Sequence, residues 1–212
     1  MPKRARPDTR DRILRTALAE FAARGFDATT MDRLARRARV NKALLYYYFG
    51  SKVALYRELL RHALEGLHGQ LRTIVEAPGA APDKLDRYIE ALVVQLDRRR
   101  ELAPLMLREL ADQGRHLDAE TLALLVSIFP LLRDVIHQGR QEGVFGTADP
   151  LLTHFVLMGT TILFTSNAPI RRRVRQLGLA QPPTGVQPFI DHLQAVARRT
   201  LRKDQTDVAN RS

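Results

Sequence analysis

The chain has 212 residues, 45% of them hydrophobic, with neither Cys nor Trp and a formal net charge of +11. That apolar content suffices for one large or two unequal packed cores, and the missing cysteines exclude disulfides and thiolate metal sites and fit a reducing compartment. The charge is uneven: residues 1–52 carry thirteen Lys/Arg and five acids, whereas the remaining 160 residues carry 21 and 18.

A net +8 in the first quarter of the chain points to a polyanionic partner there, nucleic acid first and an anionic membrane surface second. Residues 1–7 (MPKRARP) form a short basic arm, and no apolar run follows that would make it a signal peptide. The best candidate for a membrane span, residues 151–164, is short and broken by Thr153, His154, Gly159, Thr160 and Thr161, so a soluble, cytoplasmic chain is expected. From Asp8 a helix is signalled: Asp8 and Asp11 suit the positive end of its dipole, and Ile13, Leu14, Ala17, Leu18, Phe21 and Ala22 repeat at three and four until Gly25 stops it. Arg10, Arg12, Arg15 and Glu20 form its polar face.

Thr29 reads as the N-cap of the next helix, with Asp32 completing a variant capping box. Met31, Leu34, Ala35 and Ala38 make one buried stripe, which turns Arg33, Arg36, Arg37 and Arg39 outward. After a tight turn, Asn41 caps a third helix, Val40 and Leu45 are placed as a hydrophobic staple, and Leu45 and Phe49 form the buried seam. At roughly 100° per residue, Ala43 and Tyr47 then point away from the core, Leu44 and Tyr46 lie on the flanks, and Lys42 occupies the first turn. Leu44, Tyr46 and Tyr47 are poor partners for water but suit a DNA groove, where apolar edges meet thymine methyls and phenols bond base edges or phosphates. Gly50 ends this helix, Ser51 caps the next, and Lys52 stands in its first turn.

A long helix then follows Leu55, Leu59, Ala63, Leu67 and Leu71 to about Val75, and residues 77–82 (APGAAP) break it. The stripe restarts over residues 83–96, a further helix covers 102–110, and a strongly apolar one runs from Asp118 through Ile136, which Pro130 should kink or split. Gly139, Gly143 and Gly146 form the next break. Asp149-Pro150 opens a helix through Phe164, residues 167–188 read as a loop rich in Pro, Gly and Arg, and the last helix covers 189–202. With no strand pattern, the expected fold is all-α: a three-helix helix-turn-helix domain with its basic arm (residues 1–52), a larger helical effector-binding and dimerisation domain (53–203), and a loose tail (204–212).

The run Gly25-Phe26-Asp27-Ala28-Thr29-Thr30, then Leu34-Ala35-Arg36-Arg37-Ala38, Val40-Asn41-Lys42 and Leu45-Tyr46-Tyr47-Tyr48-Phe49-Gly50-Ser51-Lys52 resembles the DNA-binding domain of the tetracycline-repressor (TetR) family, over about fifty residues without a gap. The resemblance implies that Thr30, Tyr48 and Lys52 hold phosphates, that Lys42, Ala43, Leu44 and Tyr47 face bases, and that Tyr46 contributes to either. It also implies that the two helices near the C-terminus build a four-helix dimer interface, with Phe155, Met158, Gly159, Ile162, Ile190, Leu193, Val196 and Ala197 as candidate residues. Two departures stand out. Arg39 occupies a turn position where the family commonly has Gly, so either the turn is built differently or Arg39 offsets a positive φ by reaching a phosphate. Ala43 and Leu44 stand where many relatives carry Gly or Pro and then Thr, which leaves the operator sequence open.

No G-x-S-x-G, H-E-x-x-H, P-loop or dinucleotide motif is present, so no enzyme and no cofactor is expected. Glu58 and His62 are four apart, but no third ligand stands near them in sequence. Tyr88, Met106, Phe129, His137 and Phe155 are candidates to line an effector cavity, each of them equally explained as helical core. The expectation is a homodimeric, ligand-responsive repressor on a palindromic double-stranded DNA operator, released by a small apolar or amphipathic molecule. The competing readings are a sequence-independent nucleoid or membrane-surface protein, for which the Leu44-Tyr46-Tyr47 face is unnecessary, and an enzyme built on the same scaffold.

Overall fold

A computed structural model describes residues 9–203; the basic arm of residues 1–7, the helix start expected at Asp8 and the tail at 204–212 lie outside the described residues. Among the described residues the chain forms α1 (Thr9–Arg24), α2 (Met31–Ala38), α3 (Lys42–Phe49), α4 (Lys52–Glu76), α5 (Ala81–Arg98), α6 (Leu102–Ala111), α7 (Ala119–Val126), α8 (Ile128–Gln141), α9 (Pro150–Ser166), α10 (Ala168–Gln176) and α11 (Gln187–Leu201). The fold is all-α, and among the described residues the only extended pairing is an isolated antiparallel bridge between Phe145 and Arg202. Contacts group the residues into two units: 9–64 with Glu101–Ala123, and Glu65–Arg100 with 124–203. The first unit therefore takes in the first half of α4 and all of α6, whereas the sequence division was drawn after residue 52.

In the first unit the expected stripes close the core: Ile13, Leu14, Ala17 and Phe21 of α1, Met31, Leu34, Ala35 and Ala38 of α2, and Leu45 and Phe49 of α3 are buried. Gly25, at φ 80°, donates its N–H to the Phe21 carbonyl (2.8 Å) and ends α1. The N-cap of α2 is Thr30, not Thr29: the Arg33 N–H donates to the Thr30 hydroxyl oxygen (3.3 Å). Thr29 is fully buried, and its hydroxyl is spent on the Gly25 carbonyl (2.8 Å), closing the α1–α2 corner. The cap shift moves Asp32 out of the position a capping box needs.

The second unit is organised around α5, which buries Leu85, Tyr88, Ile89, Leu92, Val93 and Leu96 and is packed by α8, α9 and α11. The long apolar helix expected from Asp118 is two helices, α7 and α8, broken at Ser127. Pro130 sits in the first turn of α8, where its missing N–H would have had no intrahelical partner. Gly139 lies inside α8 rather than in the break after it. A Cβ there would meet the Phe145 ring at 2.0 Å, so Phe145 packs into the space the glycine leaves. The stretch expected as loop from residue 167 begins instead with α10. Arg171 of that helix places its guanidinium 3.8 Å from the centre of the Phe164 ring, which stacks on Phe189 of α11 at 4.0 Å. No single described helix is long and apolar enough to cross a membrane; α9 and α10 together reach the length but bend by 52°.

A candidate nucleic-acid interface

The presentation of α3 is fixed at both ends. Asn41 Oδ1 accepts the Ala43 N–H at 2.9 Å, Gly50 at φ 72° donates to the Tyr46 carbonyl at 2.8 Å, and Leu45 and Phe49 anchor the inner face. The outer face then projects as the 100° periodicity requires. Tyr47 is 81% exposed, Tyr46 45% and Tyr48 37%, Ala43 and Lys42 are exposed and Leu44 is half-buried. Tyr47 and Tyr48 meet edge to face at 5.5 Å, and Tyr48 also leans on the Phe49 ring at 6.1 Å, which restrains the exposed Tyr47 ring. Lys42 Nζ pairs with Asp32 Oδ2 at 2.8 Å, and that hydrogen bond holds its ammonium above the ordinary lysine value. To reach a base, Lys42 has to leave Asp32.

The turn before α3 is a Schellman motif with arginine in the glycine position. Arg39 adopts φ 53°, ψ 51°, its N–H donates to the Arg36 carbonyl (3.2 Å), and the Val40 N–H donates to Ala35 (3.0 Å). The arginine accepts the left-handed backbone with its side chain exposed. Thr30 is also exposed, and because its oxygen only accepts at the cap, its O–H is left for another acceptor. Lys52 is half-buried: Nζ donates to the Phe26 carbonyl at 3.0 Å and lies 4.1 Å from the centre of the Phe26 ring. The lysine thus stands on the α1–α2 corner with two N–H bonds unspent.

Of the arginines expected to face outward, Arg36, Arg37 and Arg39 are exposed and Arg33 is half-buried. Arg33 and the exposed Arg37 both pair with Glu20, which belongs to the interior and not to the polar face of α1: it is 4% exposed, pairs with Arg33, and accepts from Arg37 Nε at 2.9 Å. Burial alone would push this carboxyl up, but the two guanidiniums outweigh it and hold it below the usual carboxylate range. Arg10 of α1 pairs with Glu58 of α4. Sequence periodicity missed the Glu20 clamp because a helical wheel sees one helix at a time.

The expected dimer residues separate into two groups. Ile162, Ile190, Leu193 and Ala197 are buried inside their own subunit, because the apolar stripe of α11 and the inner face of α9 close the core around α5; Met158 and Val196 are half-buried. Phe155 (63% exposed) and Gly159 do face outward, in line with Leu152, Val156 and Leu163 at helical spacing. The candidate effector residues fall in both units, and within the second Phe129 and Phe155 flank His154, at 5.8 and 6.1 Å between ring centres. Met106 is buried in the first unit, while His137 is exposed beside a surface cleft of about 480 Å³ that it lines with Arg133, Asp134, Arg140 and Pro150. Phe129 is half-buried and meets the His154 ring edge to face at 5.8 Å. Tyr88 is fully buried, its hydroxyl has no hydrogen-bond partner, and burial pushes its pKa far up, so it stays neutral.

Comparison with known proteins decides the family. The pattern of "Bacterial regulatory proteins, tetR family" matches residues 13–59, and that of "Tetracyclin repressor-like, C-terminal domain" matches residues 82–199, more than half of the chain. The chain belongs to the tetR family. It is similar to the HTH-type transcriptional repressor NicS of Pseudomonas putida, with 29% identity over 165 residues covering 76% of each chain. The HTH-type regulator YhgD of Bacillus subtilis is 26% identical over 152 residues, 71% of this chain and 79% of that one. A tetR-family protein from Rhodococcus RHA1 superposes with a TM-score of 0.78 over 94% of this chain and 100% of that one at 19% identity, which shows the fold. As a tetR-family member the protein is a DNA-binding transcriptional regulator, a class that is not enzymatic.

Proposed function

We propose that this tetR-family member is a cytoplasmic, homodimeric repressor that binds a palindromic operator with α3 of each subunit in a major groove. One observation carries the reading: the face of Ala43, Tyr46 and Tyr47, flanked by the half-buried Leu44, is exposed on a helix capped at both ends, a surface that water solvates poorly and a groove complements. In this reading Lys42, Ala43, Leu44 and Tyr47 face bases, while Thr30, Tyr46, Tyr48, Lys52 and Arg39 hold phosphates. Its relatives include NicS, named a repressor, which supports the sign of regulation. The outward stripe of α9, Leu152, Phe155, Val156, Gly159 and Leu163, is the face a second subunit covers. A small apolar or amphipathic molecule enters the second unit and releases the operator, favouring the unbound arrangement by its unequal affinity for the two. Of the candidate effector contacts Tyr88 is the strongest, since its buried hydroxyl lacks a partner that such a ligand supplies.

Selection from a pool of random duplexes tests this. The expected product is a palindrome whose half-sites lie roughly 34–36 Å apart, or a multiple of that, occupied by an even number of chains in sedimentation. A pool that stays random through successive rounds, or a single chain per duplex, contradicts it.

A further inference from the structure

We propose that Glu109 and His116, at the end of α6 and in the turn after it, are positioning residues for DNA binding: through Phe26 they hold the Lys52 ammonium where a phosphate meets it. The proposal rests on the assignment of Lys52 to a phosphate made above. Glu109 is 1% exposed. Its Oε2 accepts from the Tyr56 hydroxyl at 2.8 Å and lies 3.0 Å from His116 Nδ1, and its Oε1 accepts the His116 N–H at 3.1 Å. Two of these contacts come from His116, one from its ring and one from its backbone, and together they fix the imidazole in orientation.

That imidazole lies against Phe26, ring centres 4.1 Å apart. Phe26 is the residue that holds Lys52 twice, by its carbonyl and by its ring. The same corner is gripped on either side of Phe26. Arg108 Nε and Nη2 donate to the Ala22 and Ala23 carbonyls at 3.1 and 3.3 Å, and Arg115 pairs with Asp27 at 2.7 Å. A lysine whose carbonyl and aromatic supports are set from α6 loses its placement when that backing goes, although its own side chain is untouched. All of these residues belong to the first unit, so the chain from Glu101 to His116 is part of the reading apparatus despite its distance from it in sequence.

The test uses the full-length protein and a labelled duplex of arbitrary sequence, with affinity measured at several salt concentrations. Lys52→Ala lowers the salt slope by about 1.8 per dimer, about 0.9 for the one phosphate lost by each of its two subunits. His116→Ala is expected to lower it by the same amount, the double variant to lower it no further, and His116→Phe, which keeps a ring against Phe26, to retain the wild-type slope. The proposal is overturned if His116→Ala leaves the slope unchanged, or weakens binding by the same factor with and without Lys52. Should His116→Ala fail to fold, Phe26→Leu puts the same question, with a loss that must vanish in the Lys52→Ala background. A wild-type protein that binds no duplex at low salt contradicts the DNA assignment itself, whereas binding with independent effects of His116 and Lys52 contradicts only this proposal.

Discussion

Arg39 is the residue at which sequence chemistry and backbone geometry disagree most openly. Its φ of 53° belongs to the region where a Cβ crowds the following carbonyl, and the Schellman bonds to Ala35 and Arg36 hold it there. Arg39→Gly is therefore expected to stabilise the protein by about 0.5–1 kcal/mol in denaturant titration, the relief of strain exceeding the entropy a glycine loses. If the exposed guanidinium also meets a phosphate, the same variant lowers the salt slope of duplex binding by about 1.8 per dimer, about 0.9 for each subunit. A variant that is destabilised would show that Arg39 makes a contact worth more than the strain. The sequence posed this question through the unusual residue in the turn, but the answer needed a dihedral angle.

At the scale of elements, what was legible was local. Stripes at three and four residues located α1, α2, α3 and the core of α5, and Asn41, Ser51 and Asp149 announced their caps, because caps and stripes act within a turn or two of the chain. The misreadings came where one helix depends on another. Thr29 was taken for a cap although tertiary packing buries it, and α10 was hidden by the prolines and glycines around it, its arginines being stabilised by Phe164 and by the Pro182 carbonyl. Glu20 was placed on the surface because nothing on α1 shows that α2 brings Arg33 and Arg37 to it. The clamp between α1 and α2 has a pH signature. With its folded pKa below the unfolded value near 4.5, Glu20 contributes stability that is complete above that value and is lost as the pH falls through the folded pKa. Glu20→Gln should then melt below wild type at neutral pH, by about 1–3 kcal/mol, and the two should converge in acid. A gap that persists unchanged below the folded pKa would assign the effect to packing and not to charge.

For the whole molecule, contacts divide the described chain into a reading unit that reaches as far as residue 123 and a second unit built on α5. The basic excess of the first quarter and the projecting face of α3 belong to the first, and the outward stripe of α9 and the unpartnered Tyr88 hydroxyl to the second. The pairing of Tyr56 with Glu109, 53 residues away, is why the extent of the reading unit could not be drawn from sequence alone. Within that unit the central claim is a division of labour: the outer face of α3 reads bases, and the corner bearing Lys52 holds the backbone. The most direct test titrates wild type, Tyr47→Ala and Lys52→Ala against a selected duplex and a scrambled one at several salt concentrations. Lys52→Ala should weaken both duplexes alike and lower the slope by about 1.8 per dimer, about 0.9 for each subunit, while Tyr47→Ala should keep the slope and lose about 1–3 kcal/mol of the preference between them. If the two variants lose affinity and slope in the same way on both duplexes, the division of labour is contradicted.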